Sequence, residues 1–339
     1  MPFLDYLHRA SERGNLDSFS AREAMLHILD GSASTAQIAA FLVALRMKGE
    51  TAEELLGFAQ AMREKMVRVD PGLDGETLLD TCGTGGDLAG TFNISTVATF
   101  VIAGCGVRVA KHGNRSISSQ VGGADLLEAL GVRISMLPEE MARALREVGV
   151  AFLFAPLLHP AMKHAQPARL ELKMRTVFNL LGPLTNPAGA RAQLIGAPSE
   201  EAAGLMATAL AGLGADRAFV VHGFDGLDEI STTGPTLVYE VKGQSLEKHL
   251  WMPADFGVRR ARMDELVGGN VDRNREIALA VLAGEKGPRR EIVLVNASAA
   301  LVAAGKVESL AAGVDAAAQS IDSGAAAHKL KDLAAFGSH

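Results

Sequence analysis

Two carboxylates stand side by side at Asp228 and Glu229, just beyond a strand-like run (Ala218 to His222) and a turn holding Gly223 and Gly226. Adjacent carboxylates at a strand end offer the hard oxygens that Mg²⁺ takes, and Mg²⁺ commonly keeps waters and substrate phosphates in the rest of its shell. The dipeptide alone fits an exposed acidic turn as well, so it needs a phosphate-binding context. That context is present between Leu78 and Gly123. A strand-like run, Leu78 to Thr81, passes through Cys82 into a loop with glycine at positions 83, 85, 86 and 90, and a helical segment opens at about Asn93. Glycine lets a backbone approach a ligand closely, and a helix N-terminus presents unpaired N–H groups and partial positive charge to an anion. A second strand-like run, Val107 to Ala110, leads into Lys111-His112-Gly113-Asn114-Arg115-Ser116-Ile117-Ser118-Ser119, with two cations and three hydroxyls in nine residues. Loops after consecutive strands lie side by side at the C-terminal edge of a sheet. Together they suit a ligand with more than one phosphate. The glycine loop is neither the dinucleotide fingerprint nor the P-loop lysine motif.

Other reactive residue types carry less. His112 and His159 invite an acid–base role, but a lone histidine serves packing or hydrogen bonding as well, and no proton transfer is assigned to either. Cys82 and Cys105 have no metal-ligand spacing and read as small buried hydrophobes. Lys111 and Arg115 suit phosphate or a solvated loop equally. Arg169 has Glu171 nearby, and a surface ion pair there would be worth little.

The elements that position these residues follow from pattern. The chain has 339 residues, 48% of them apolar and 5% aromatic, with a net charge of −6 and a pI of about 5.9. No basic stripe favours nucleic acid. The N-terminus lacks an apolar signal core, and the run around Val97 to Val107 is too short to span a bilayer. The expectation is a cytoplasmic protein with no membrane and no nucleic-acid partner.

Residues 1–70 read as helices only. Ser20 with Glu23 suggests a capping box for a helix through about Leu29. Thr35 suggests the cap of the next, with Ile38, Phe41, Leu42 and Leu45 on one face, and Thr51 with Glu54 starts a third. Asp70-Pro71-Gly72-Leu73-Asp74-Gly75 marks a boundary. Beyond it, strands are expected at 78–81, 107–110, 132–135, 151–154, 192–196, 217–222 and 236–241, with helices such as Pro138 to Val148 and Glu200 to Leu213 between them. Such alternation argues for a largely parallel sheet covered by helices. Residues from about Pro160 to Val177 read as helical, and the chain is helical again from about Asp264.

The motifs GTGGD, TFNIST and KHGNRSISS, followed by RTVFNLLGPLTNP (Arg175 to Pro187) and VHGFDGLDEIS (Val221 to Ser231), occur in this order and at these spacings. In this the chain resembles the anthranilate phosphoribosyltransferase family of tryptophan biosynthesis, over nearly its whole length. The resemblance implies a fold of class α/β, with a small N-terminal helical domain and a large α/β domain whose central sheet is mostly parallel, as in nucleoside phosphorylases and phosphoribosyltransferases. The domains would be residues 1–70, joined by about 160–186, and residues 71–339. It implies a homodimer, part of whose interface is the apolar surface of the N-terminal helices.

For the donor, 5-phosphoribosyl 1-diphosphate, the resemblance implies Gly83, Gly86, Asp87, Thr91, Asn93, Ile94, Ser95 and Thr96 on the first loop. On the second it implies Lys111, His112, Gly113, Asn114, Arg115, Ser116, Ile117, Ser118, Ser119 and Gly123. Anthranilate would meet Gly83, Asn114 and Arg169, with Pro156, Leu157 and Gly182 lining its slot. Mg²⁺, as two ions, would be held by Ser95, Asp228 and Glu229. Gly123 departs from the serine of many relatives, and Leu158 precedes His159 where a polar or aromatic residue is common.

The implied reaction moves the phosphoribosyl group to the amine of anthranilate and releases diphosphate. The amine is already neutral at pH 7, so the absence of an obvious base is consistent with it. A pyrimidine-nucleoside phosphorylase shares the fold and a Lys-His-Gly loop but needs no metal pair. A non-catalytic nucleic-acid-binding relative would have a basic surface and an eroded GTGGD loop. Asp228-Glu229 counts against the first, and the acidic pI and intact loop count against the second.

Overall fold

The computed structural model describes residues 1–73, 75–85, 90–116 and 120–336. Four helices open the chain: α1 (Phe3–Ser11), α2 (Ser18–Leu29), α3 (Thr35–Lys48) and α4 (Ala52–Lys65). Their starts are set by local hydrogen bonds. Asp17 caps α2 through Ser20 N at 2.7 Å, so the Ser20–Glu23 box expected from sequence is replaced by a cap one turn earlier. Ser34, not Thr35, caps α3 and exchanges bonds with Gln37. Thr51 and Glu54 form the expected box on α4. Glu54 is buried, and also accepts from Leu16 N at 2.9 Å and from Lys48 Nζ at 2.8 Å, tying three segments together.

Among the described residues seven strands follow: β1 (Leu78–Gly83), β2 (Arg108–Gly113), β3 (Val150–Phe154), β4 (Ala192–Gly196), β5 (Arg217–Gly223), β6 (Thr236–Lys242) and β7 (Ser245–Trp251). They form one sheet in the order β3-β2-β1-β4-β5-β6-β7, parallel from β3 to β5 and antiparallel thereafter. The expected strand at 132–135 is absent. Val132 and Ile134 are buried with strand-like alternation, but the segment has no ladder partner because β3 ends the sheet. β7 was not expected. It is the return arm of a hairpin whose two-residue turn is Gly243-Gln244, with Gly243 at φ +58°.

The other helices are α5 (Ile94–Gly104), α6 (Gly123–Ala129), α7 (Pro138–Glu147), α8 (Ala155–Leu158), α9 (Gln166–Leu172), α10 (Phe178–Leu181), α11 (Glu200–Gly212), α12 (Val271–Leu282), α13 (Pro288–Ala303), α14 (Leu310–Asp322) and α15 (Ala325–Phe336). Alternate residues of β4 and β5 point to opposite sides. Leu194, Phe219 and Val221 join a core with α5, α7 and α12–α15, while Ile195, Ala218 and Val220 join a second core with α11 and α1–α4. Ala165, Ala168, Val177, Phe178, Leu181 and Leu184 also belong to that second core, so the segment after β3 leaves the sheet and packs among the N-terminal helices. No helix among the described residues is long and apolar enough to cross a membrane.

Candidate active site

β1 and β4 are adjacent parallel strands, and their last residues, Gly83 and Gly196, are register partners. A Cβ on Gly83 would overlap Asp228 Oδ2, and one on Gly196 would overlap the Asp228 main-chain carbonyl. The two glycines therefore make a notch that seats Asp228. The loop carrying it is built, not slack. Asp225 braces the turn by accepting from Leu227 N and from the Ser231 and Thr233 hydroxyls. Ile230 is pinned to α13 by Asn296, which accepts from Ile230 N at 2.9 Å and donates to Ile230 O at 3.0 Å. Neither Asp225 nor Asn296 stands out in the sequence: Asp225 bonds only within its own short turn, and the partner of Asn296 lies 66 residues away.

The carboxylates reach the two anion-binding features of the first loop. Gly85, at φ +67°, donates its N–H to Asp228 Oδ2 at 2.8 Å. Ser95 N, in the first turn of α5, donates to Glu229 Oε1 at 3.1 Å. A carboxylate at a helix N-terminus is favoured by the unpaired N–H groups and the helix dipole. Asn93, the residue before α5, instead donates its Nδ2 to Val121 O at 3.0 Å, which joins the first loop to the second. Its Oδ1 is buried with no partner among the described residues. Gly90 O accepts from Gly268 N, Thr91 bridges Val267, and Phe92 N donates to Leu266 O, so the chain before α5 is held against a distant segment. Ile94 and Thr96 are buried.

The second loop divides. Lys111 turns inward, 4% exposed, donating to Thr81 O at 2.5 Å and to Ser95 Oγ at 3.3 Å. Burial lowers its pKa, against the pull of Asp80 and the other anions around it. Asp80, fully buried, accepts from His112 N at 3.0 Å and from the Cys82 thiol at 3.4 Å. Gly113 closes β2 against the Phe152 ring. Arg115 leaves the cluster: its guanidinium pairs with Asp125 at 2.9 Å and Glu128 at 2.5 Å on α6. Asp125 also accepts from Ser116 N and Gly122 N, fixing the loop's return at Gly123. Asn114 is exposed and caps Arg115 N. Gly86, Asp87, Ile117, Ser118 and Ser119 lie outside the described residues.

Two buried imidazoles close the other side. The His112 and His159 rings lie 5.1 Å apart. His112 Nδ1 is 3.1 Å from Gly182 O, a pure acceptor, so its proton sits on Nδ1 and its buried Nε2 has no partner among the described residues. Burial and the neighbouring His159 pull the His112 pKa down to about 3, and burial pulls His159 to about 4. Both are neutral at pH 7. A Cβ on Gly182 would meet open space, and Pro156 and Leu157 are exposed. Arg169, on α9, lies 5.3 Å over the Phe178 ring and forms no ion pair with Glu171. Burial lowers its pKa too.

Arg175 is given no role by the sequence, yet its Nη1 donates to Gly85 O at 2.8 Å. A cavity of about 600 Å³ lined by Asp225, Thr233, Arg260, Arg262 and Met263 shares the acidic loop but includes none of the expected metal ligands.

The donor set suits Mg²⁺: Asp228, Glu229 and Ser95 supply only oxygens, two of them charged, gathered where glycines leave room. Lys111 stands at Ser95 Oγ and lowers that hydroxyl's appeal to a cation.

Comparison with known proteins identifies the family. Residues 4–66 match the glycosyl transferase family helical bundle domain, and residues 75–327 match the glycosyl transferase family a/b domain. The chain is 62% identical to the anthranilate phosphoribosyltransferase of Solibacter usitatus over 336 residues, 99% of each chain. It is 53% identical to that of Pelotomaculum thermopropionicum, covering 95% of this chain and 93% of the other. Among solved structures, the anthranilate phosphoribosyltransferase of Thermus thermophilus superposes with a TM-score of 0.92 at 44% identity, covering 98% of this chain and 99% of that one. The Saccharomyces cerevisiae enzyme, in complex with PRPP and Mg, gives 0.89 at 28%, covering 98% and 97%. The chain belongs to the glycosyl transferase family and, within it, to the anthranilate phosphoribosyltransferases.

Proposed function

We propose that the protein transfers the phosphoribosyl group of 5-phosphoribosyl 1-diphosphate to the amine of anthranilate, giving N-(5-phosphoribosyl)anthranilate and diphosphate. The observation that carries the reading is the seating of Asp228 and Glu229, one bonded to the N–H of the glycine loop and the other to the first turn of α5. Bond cleavage at ribose C1 leaves a cationic sugar and a heavily charged leaving group, so catalysis must come from stabilising diphosphate and positioning the amine. Asp228, Glu229 and Ser95 would hold Mg²⁺, two ions by the family's habit, and the metal would neutralise charge on the diphosphate.

The residues of the first loop, from Gly83 to Thr96, and of the second, from Lys111 to Gly123, would surround the donor. Lys111, held beneath the loops, would add positive charge through Ser95, and Arg115 would act only by fixing the loop against α6. Arg169 would meet the anthranilate carboxylate, with Asn114 and Gly83 beside it and Pro156, Leu157 and Gly182 forming the slot. The two neutral histidines would pack against the ring. Anthranilate's own carboxylate would accept the proton lost from its amine.

This reading takes residues 1–70 with about 160–186 as one domain and 71–339 as the other, the acceptor entering between them. It places the protein in the cytoplasm as a homodimer. Leu4, Phe19 and Met47, exposed on α1, α2 and α3, supply apolar surface for the contact. The test is direct: protein, Mg²⁺, 5-phosphoribosyl 1-diphosphate and anthranilate are mixed and anthranilate fluorescence is followed. Its loss, dependent on all four, supports the transferase. Phosphate-dependent cleavage of thymidine or uridine would replace it with the phosphorylase.

A further inference from the structure

Gly85 is held from both sides: its N–H donates to Asp228 Oδ2 and its carbonyl accepts from Arg175 Nη1, each at 2.8 Å. The three residues come from separate parts of the chain. Gly85 follows β1, Asp228 follows β5, and Arg175 lies between α9 and α10, in the segment that also carries Arg169. That segment is bent toward the glycine loop at Lys173, which caps α9 with φ +48° and ψ +36°. Only Lys173 and Arg13 among the described non-glycine residues have positive φ, and a lysine takes that conformation at a steric cost. Lys173 and Met174 are exposed, so the left-handed residue is a helix ending that turns the chain after α9, and Arg175 then reaches Gly85.

We propose that Arg175 is a positioning residue that seats Asp228 through Gly85, so that the acceptor-side segment sets the donor and metal site. Arginine suits the task because its guanidinium stays charged and its planar head holds direction at the end of a long stem. A bond from a cation to a carbonyl is stronger than a neutral one. With it gone, the Gly85 carbonyl loses its cationic donor, the peptide is held on that side only by the Thr84 N–H to Gly196 O bond beside it, and the Gly85 N–H that aims one Asp228 oxygen is less firmly placed.

The proposal rests on the transferase reading and predicts a crossed phenotype. A variant on the acceptor-side segment should damage use of the donor. In Arg175→Met, the KM for 5-phosphoribosyl 1-diphosphate should rise roughly tenfold and the Mg²⁺ requirement should move to higher concentration. The KM for anthranilate should stay within about twofold. Arg175→Lys should recover part of the loss, because one donor can still reach Gly85 O. Calorimetric titration of the Mg²⁺ complex of 5-phosphoribosyl 1-diphosphate, without anthranilate, should show the same weakening, and melting temperatures check that each variant is folded. If Arg175→Met unfolds, Arg175→Lys alone decides, since a purely structural arginine would leave the donor KM of a folded lysine variant unchanged. A rise in the anthranilate KM alone would make Arg175 an acceptor contact and overturn the proposal, as would unchanged constants for both substrates. Wild-type protein that binds neither substrate would instead refute the transferase reading.

Discussion

Gly196 and Asp228 are in such close approach that a single methyl group on the glycine would overlap the aspartate's main-chain carbonyl. The last residue of β4 is thus part of the proposed metal site, although it carries no functional group. Gly196→Ala must displace the backbone of the acidic loop, and overpacking of this kind costs about 1–3 kcal/mol. The expected result is a folded protein, a few degrees less stable, whose kcat/KM for 5-phosphoribosyl 1-diphosphate falls by roughly 100-fold. Thermal melts and steady-state kinetics across an Mg²⁺ series check it.

Asp228→Asn keeps one oxygen for Gly85 N but removes the charge and turns the second oxygen into an NH2 donor. Activity should fall by at least tenfold (about 1.4 kcal/mol), and added Mg²⁺ should restore part of it. Glu229→Gln should behave alike, with its amide oxygen still able to accept from Ser95 N. Full turnover by either at low Mg²⁺ would remove these residues from the metal site.

Arg169 has an aromatic ring at its face and no carboxylate partner among the described residues. A charge-assisted bond to a substrate carboxylate is worth about 1.5–3 kcal/mol, or roughly 10- to 150-fold. Arg169→Ala should raise the KM for anthranilate by that factor and leave the donor's nearly unchanged. Arg169→Lys should rescue only partly. Equal losses for both substrates would misplace the acceptor.

The two buried imidazoles make stability depend on pH. An unfolded histidine titrates near 6.5, whereas His112 and His159 titrate at about 3 and 4 in the folded chain. Between these values the unfolded state binds more protons, so stability falls as pH falls. At pH 5 each site should cost about 2 kcal/mol relative to pH 8. Asp80, raised by burial, works in the opposite direction. Denaturant melts from pH 8 to pH 5 should show the slope, and His159→Gln should flatten it by about half.

The exposed apolar residues of α1–α3 predict a dimer that a charge can break. Sedimentation at micromolar concentration should give twice the chain mass, and Phe19→Asp with Met47→Asp should give a monomer. A monomeric wild type would reject the interface.

The sequence carried the sheet well where a local signal existed. β1, β2, β4, β5 and β6 follow short runs rich in apolar residues and end at or next to glycine. The run at Val132 to Ser135 misled because alternation reports burial on one side, not a partner strand. β7 was hidden because Glu247, Lys248 and His249 make its face polar, leaving only Gly243-Gln244 as a turn signal. Helix α1 was missed because Pro2 provides no side-chain cap. At the site, the residue types of Gly83, Ser95, Asp228 and Glu229 pointed to chemistry, and the fold brings them together. Gly196, Asn296 and Arg175 were illegible. Each acts through a contact made across dozens of residues or more, and nothing in its local pattern differs from an ordinary glycine, asparagine or arginine.

The second core has a consequence for how the protein is made. α3 packs on α9 and α4 on α11, so the N-terminal helices complete their burial with segments synthesised much later. Gly212, the end of α11, follows Lys65 by about 147 residues, which at 5–20 residues per second is a delay of roughly 7–30 s. Through that interval the face destined for α11 has no partner from its own chain, and the face destined for α9 waits until Leu172 has emerged. The nascent N-terminus is therefore the stretch a ribosome-associated chaperone should hold, and release should coincide with the emergence of α11.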